Sequence, residues 1–269
     1  MRPALRQVPS ARHRPTAATA RGNALVLAPV LPAWDEGAFF APVVRTLTDA
    51  QWSVTVVDTL ALWEPGMTEL AHLTDAWADQ VSADPPDLLC GNALGGAVAQ
   101  GLLDRLPPHT PVLLVSGPAR SDAVLDRRLA EIADLAAAGQ LSAALDLLAR
   151  RVRPHDDAGV PEPAVPECAV PVAPAPPLAA DDAPHAARRL AAGLRLLRGV
   201  DVSATVQDHP GRLLNLVGSR SQLVTAAHTA AAPHHTIRPV TGCGMRPHVE
   251  RPALVSRAVR TFLDTQENT

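Results

Sequence analysis

The chain contains no tyrosine and no lysine, so every basic side chain other than histidine is an arginine. Schiff-base chemistry on a lysine and proton transfer by a tyrosine are thereby excluded. Cysteine is scarce: Cys90, Cys168 and Cys243 are scattered, odd in number and without CxxC or CxxH spacing. That argues against a zinc site and against a disulfide framework, and it fits a reduced cytoplasm. No apolar run is long enough to span a bilayer. The formal net charge of −3 offers no electrostatic surface for nucleic acid or membrane. No cofactor and no metal are called for. The expected partner is a small-molecule or peptide substrate; the oligomeric state is not legible.

What is present is a large apolar fraction, 47% of 269 residues, in a composition rich in Ala, Arg and Pro. That suffices for a sizeable core and suits one α/β domain with a lid, or two small domains. Residues 1–22 carry Arg2, Arg6, Arg12, Arg14 and Arg21 with no acid and no apolar core for a signal segment. The expectation is a disordered basic tail.

From residue 23 onward strands alternate with helices. Asn23 to Pro32 is a nearly continuous apolar run, as in a strand buried on both faces. Ala38 to Ala50 has helical spacing. Trp52 to Leu62 reads as the next strand, and Glu69 to Val81 as an amphipathic helix with Thr68 as its N-cap. Asp87 to Gly91 is a short strand running through Asn92-Ala93-Leu94-Gly95-Gly96 into a helix that ends near Leu106. Thr110 to Gly117 is another buried strand. Val124 to Arg153 is helical, residues 154–184 form an irregular loop dominated by Pro, Ala and Asp, and Ala186 to Val200 is again helical. Strands at 212–218 and 235–241 are separated by a helix at 223–232, and a helix at 251–264 closes the chain. This order implies a mostly parallel sheet covered on both faces. The core is expected at 23–119 and 201–269. The helical stretch 120–200 is expected as a lid above the carboxyl edge of the sheet, where ligands of such sheets bind.

Gly91-Asn92-Ala93-Leu94-Gly95-Gly96, between a strand and a helix, resembles the nucleophile elbow G-x-S-x-G of the α/β-hydrolase superfamily. In such a turn Gly91 and Gly95 let the two arms approach, and Gly96 lets the helix close on the sheet. The nucleophile position is Ala93. Gly242-Cys243-Gly244-Met245-Arg246-Pro247-His248-Val249-Glu250-Arg251-Pro252 is similar to the superfamily's histidine loop, G-x-G-H-x-P-x-x-E-R-P, and in that register the base position is Met245. Gly218-Ser219-Arg220-Ser221 is similar to the G-x-x-D segment, with Ser221 where the acid belongs. The oxyanion loop, usually His-Gly, is Ala28-Pro29 followed by Val30. The resemblance covers roughly residues 23–119 and 186–264.

It implies an α/β-hydrolase fold without a catalytic triad. A single Ser-to-Ala replacement would leave His and Asp in place; here all three positions differ, and triad members act as a unit. No residue of the triad type is left. The expected pocket wall is Val30, Leu31, Ala93, Leu94 and Met245, with His248 as the nearest imidazole, and the N–H groups of Val30 and Leu94 are candidate oxyanion donors. Other candidates are weak. Cys90 lies in a strand and reads as core; Cys243 has no assigned base; Asp35 and Glu36 read as solvated; His234-His235 lacks a third ligand at metal spacing. His248 reads mainly as packing at the last helix.

In its lost triad the chain is similar to atypical members of the superfamily among peptide natural-product tailoring enzymes, such as the bottromycin-pathway peptide epimerase. This implies a non-hydrolytic epimerase or isomerase in which the substrate's own carboxylate moves the proton. A pseudo-hydrolase that binds a ligand or partner as a scaffold predicts the same empty triad.

Overall fold

In the computed structural model the described residues are 8–16, 19–155 and 182–264. The strands are β1 (Ser10–His13), β2 (Gly22–Leu27), β3 (Trp52–Val57), β4 (Leu88–Asn92), β5 (Val112–Val115), β6 (Leu213–Gly218) and β7 (Thr236–Val240). The α-helices are α1 (Ala41–Asp49), α2 (Leu70–Ala83), α3 (Leu94–Gly101), α4 (Ala123–Ala137), α5 (Leu141–Val152), α6 (Ala183–Leu196), α7 (Ser203–Asp208), α8 (Pro247–Glu250) and α9 (Pro252–Asp264). The strands form one sheet in the order β1-β3-β2-β4-β5-β6-β7. All neighbours pair in parallel except β1, which runs antiparallel to β3.

The apolar runs explain the sheet's centre. Every residue of β4, β5 and β6 is buried, as expected for strands covered on both faces. One core lies between the sheet and α2, α3 and the 123–196 helices, and it includes Leu73, Trp77, Leu94, Leu102, Leu129 and Ile132. The other lies between the sheet and α1 and α9, around Phe40, Leu47, Leu88, Leu113 and Phe262.

Four local expectations differ from the structure. The basic segment 1–22 supplies a strand: Ser10–His13 pairs residue for residue with Val54–Val57. Those four residues have no apolar face, so their pattern carries no strand signal; the open hydrogen-bonding edge of β3 organises them. Residues 1–7 and 17–18 of that expected tail lie outside the described residues. The helix expected at 124–153 is two helices, broken at Gly139, which takes φ +76°. Residues 223–232 form only a short 3-10 turn at Ala226–His228, closed by a reciprocal cap between Thr225 and His228. The side-chain cap competes there with continuation of a helix. The α2 N-cap is Glu69, with no side-chain cap from Thr68. Most of the Pro/Ala-rich loop lies outside the described residues.

Two charged residues fasten the helical insertion to the sheet. Asp58, just after β3, accepts two hydrogen bonds at 2.9 Å from Nη2 of Arg189 on α6. It also accepts one from the Leu60 N–H. Their side chains are 5% and 11% exposed, so this pair is buried. Further along α6, Gly193 lies against Val30 and Leu60, where a Cβ would approach a Val30 methyl to 2.7 Å.

Candidate active site

β4 leads into a turn whose apex, Ala93, has φ +48° and ψ −112°. An L residue is strained in that conformation, by roughly 1–3 kcal/mol. The glycines around it have no room for side chains. A Cβ on Gly91 would lie 2.5 Å from the Gly95 carbonyl oxygen, one on Gly95 2.0 Å from that of Leu27, and one on Gly96 2.6 Å from the Gly117 Cα. The two arms and the neighbouring strands thus close on one another, as expected from the sequence. The Ala93 N–H donates to Val115 and its carbonyl accepts from Ala97, which holds the turn at both ends.

The other two positions of the expected triad meet beside it. The Ser221 hydroxyl donates to the Met245 sulfur at 3.7 Å. Met245 is fixed through its backbone: its N–H donates to Val152 at 2.9 Å, and its carbonyl accepts from the buried Ser116 hydroxyl at 3.0 Å. Ser116 itself has φ +49°. The loops bearing 221 and 245 touch at Gly218, where a Cβ would lie 1.8 Å from the Gly244 carbonyl oxygen. Glu250 clamps the second loop by accepting the N–H groups of Gly244 and Arg246. Burial pushes its carboxyl above the usual range, and those two bonds oppose that. Neither Ser116 nor Glu250 was singled out from the sequence; the Glu of the E-R-P segment was the available signal for the second.

Above the turn lies a cavity of about 420 Å³, at the carboxyl ends of β2, β4, β6 and β7 and beneath α4, α5 and α6. Val30, Leu31, Ala93, Met245 and His248 line it. Leu94 does not. Its side chain is fully buried in the core cluster between the sheet and the helices. The N–H groups of Val30 and Leu94 have no hydrogen-bond partner among the described residues. The rest of the described lining is apolar, aliphatic apart from Phe39, with Asn92, Arg246 and His248 as its polar side chains. Asn92 donates to the Val115 carbonyl.

His248 is 1% exposed, and its ring packs on Phe40 with centroids 5.1 Å apart. Nε2 lies 3.0 Å from the Phe39 carbonyl. Because a carbonyl only accepts, Nε2 carries the proton and Nδ1 is bare. Burial, helped by the nearby Arg246, lowers its pKa to about 4 against the single hydrogen bond that raises it. A base that weak is poorly matched to proton abstraction at neutral pH. Burial also lowers the pKa of His209 and of His235.

These three shifts share one sign. Each imidazole binds its proton more weakly in the fold than in the unfolded chain, so stability is full above the ordinary histidine value and falls as pH drops through it. For His248 the loss approaches about 3 kcal/mol by pH 4. The urea midpoint should therefore fall steadily from pH 7 to pH 4.5. His248→Leu should lower it at pH 7 but flatten the slope; an unchanged slope would show that His248 is not the titrating group.

The remaining candidates fall elsewhere. Cys90 is fully buried in the core, which pushes its thiol pKa up. Cys243 is also fully buried. Asp35 is not a solvated acid: it is half-buried and accepts the Gly37 and Phe39 N–H groups, and burial raises its pKa. His234 and His235 hydrogen-bond the His209 carbonyl, and His235 also that of Gly211. Among the described residues no cluster of His, Cys, Asp or Glu could hold a metal, and no helix is long and apolar enough to cross a membrane.

No family model and no curated protein matches the chain. Its likeness to solved structures extends over almost its whole length. An α/β-hydrolase enzyme from a Medee basin deep-sea metagenome library is 8% identical with a TM-score of 0.68, over 96% of this chain and 95% of that one. A bromoperoxidase from Bacillus anthracis is 14% identical with a TM-score of 0.68, over 95% and 94%. The enol-lactonase from Burkholderia xenovorans LB400 is 16% identical with a TM-score of 0.67, over 95% and 96%. Identities this low speak to architecture alone, and together with the parallel sheet and its flanking helices they show that the chain has the α/β-hydrolase fold.

Proposed function

We propose that the protein is a non-hydrolytic enzyme of this fold, an isomerase or epimerase that acts on a small molecule or peptide by stabilising an enolate while the substrate's own base moves the proton. The observation that carries this reading is the strained turn at Ala93. Backbone strain of this kind persists where surrounding structure over-determines it, and it clusters at functional sites. Alanine has no nucleophile to present. What the turn still offers is the Leu94 N–H, which like the Val30 N–H has no hydrogen-bond partner among the described residues. Two donors in an apolar cavity can hold the negative oxygen that develops when a carbon acid loses its proton. Among the described residues nothing at the site supplies a competent base: Met245 is a thioether, Ser221 is bound to it, and His248 is locked as a neutral donor to Phe39. The base must therefore arrive with the substrate, and the dry wall keeps it reactive.

The scaffold reading draws on the same apolar cavity, which can hold a ligand without altering it. Incubation of candidate acyl and peptide substrates in heavy water, followed by mass spectrometry, separates the two. The expected result is one deuterium entering an α-position with covalent connectivity unchanged. Ala93→Phe, which fills the cavity at the reacting point, should abolish exchange while leaving the thermal transition in place. Tight binding without exchange or any other chemical change would reject the enzyme and leave the scaffold.

A further inference from the structure

Within the cavity the residues divide by origin and by chemistry. The wall supplied by the helical insertion is made of Leu125, Leu129, Leu145, Leu148, Leu194 and Leu197, with small aliphatic neighbours and no aromatic ring. Flexible aliphatic side chains without a flat ring or a polar anchor suit an unbranched hydrocarbon better than an aryl group or a peptide backbone, whose amides would be left unsatisfied there. The loop after β7 adjoins this wall, the Met245 N–H donating to Val152 of α5. It contributes Met245 and, next to it, Arg246, the only cationic side chain among the described lining residues, which include no Asp or Glu. The Arg246 guanidinium makes no ion pair or side-chain hydrogen bond among the described residues. Glu250, the acid close enough to feel it, has its two carboxylate oxygens engaged by the N–H groups of Gly244 and Arg246.

We infer that the ligand of this cavity is a linear aliphatic carboxylate, its hydrocarbon chain under α4, α5 and α6 and its carboxylate on Arg246. This names the substrate class for the site proposed above and rests on that reading: the carboxylate is the base that the substrate brings, and the C–H it serves lies beside a carbonyl further along the chain. The planar guanidinium matches a carboxylate in a paired geometry that a neutral head group cannot reproduce. Arg246 is exposed and lines the same cavity as Ala93, so one ligand can reach both. Head group and hydrocarbon tail are then held by different residues of one cavity.

The test is isothermal titration of the full chain with lauric acid, lauryl alcohol and a phenyl-terminated acid of similar length, each below its micelle-forming concentration. Lauric acid should bind, and the alcohol and the aryl acid should bind about tenfold or more weakly. Arg246→Gln should weaken lauric acid about tenfold and leave the alcohol unchanged, and Arg246→Lys should recover part of the loss. Ala93→Phe should block all three, which places the ligand in this cavity. Equal binding of acid and alcohol, preference for the aryl acid, or an Arg246→Gln variant with full affinity would overturn the ligand class. Exchange catalysed on a different substrate together with no laurate binding would overturn it while sparing the enzyme reading. Laurate binding with these preferences, without α-exchange on any acid tried, would uphold the class and count against the isomerase.

Discussion

The triple variant Ala93→Ser/Ser221→Asp/Met245→His is expected to hydrolyse short-chain p-nitrophenyl esters at least about 100-fold faster than Ala93→Ser alone. The single variant should stay at the buffer background, because its serine would face a thioether instead of a base. The geometry for the gain is already built. The apex at 93 is a tight strand-to-helix turn at positive φ. The backbone at 245 is pinned from both sides by Val152 and Ser116. Side chains at 221 and 245 already touch, so an Asp and a His there would be in position to hydrogen-bond. Because triad members act as a unit, each double variant should recover little of the gain. Activity in Ala93→Ser alone would mean that another group serves as base, and His248 would be the one to test.

The second large effect concerns stability. Arg189→Met is expected to lower unfolding free energy by about 3–5 kcal/mol, because it leaves Asp58 charged and buried without its partner. In a chain of this size that corresponds to a fall of roughly 10 °C in the thermal midpoint. The double variant Asp58→Leu/Arg189→Met should recover most of the loss, since removing both charges also removes the cost of burying them. The pair joins α6 to the end of β3, and α6 and its C-cap supply Leu194 and Leu197 of the cavity wall. Ligand affinity should accordingly fall in the single variant and return in the double. A single variant as stable as the unmodified protein would show that the pair is not the fastening described here.

How much of this was readable beforehand depends on the range over which each signal acts. The buried strands announce themselves because a strand covered on both faces must be apolar throughout, as in Val112–Val115. The turn at Ala93 was legible because close approach of backbones leaves only glycine at 91, 95 and 96. The loop around Met245 was legible through its glycines, Pro247 and the Glu-Arg-Pro segment. Edge strand β1 was not, since its register comes from β3, more than 40 residues away in the chain. The Asp58–Arg189 pair joins residues 131 positions apart, and no local pattern marks either. The side-chain direction of Leu94 was misjudged because its place in the motif fixes where its N–H points, while the packing of α3 decides where the side chain goes. Asp35 looked like a solvated acid because a two-bond backbone cap cannot be told from a surface aspartate by residue type.

The central claim, that this fold has kept the architecture of a hydrolase and lost its chemistry, is tested most directly on the unmodified protein. Incubation with a serine-directed fluorophosphonate, followed by intact-mass measurement and by turnover assays on short-chain p-nitrophenyl esters, should give no adduct and no rate above buffer. A stoichiometric adduct, or ester turnover that survives purification to homogeneity and disappears in Ala93→Phe, would contradict it.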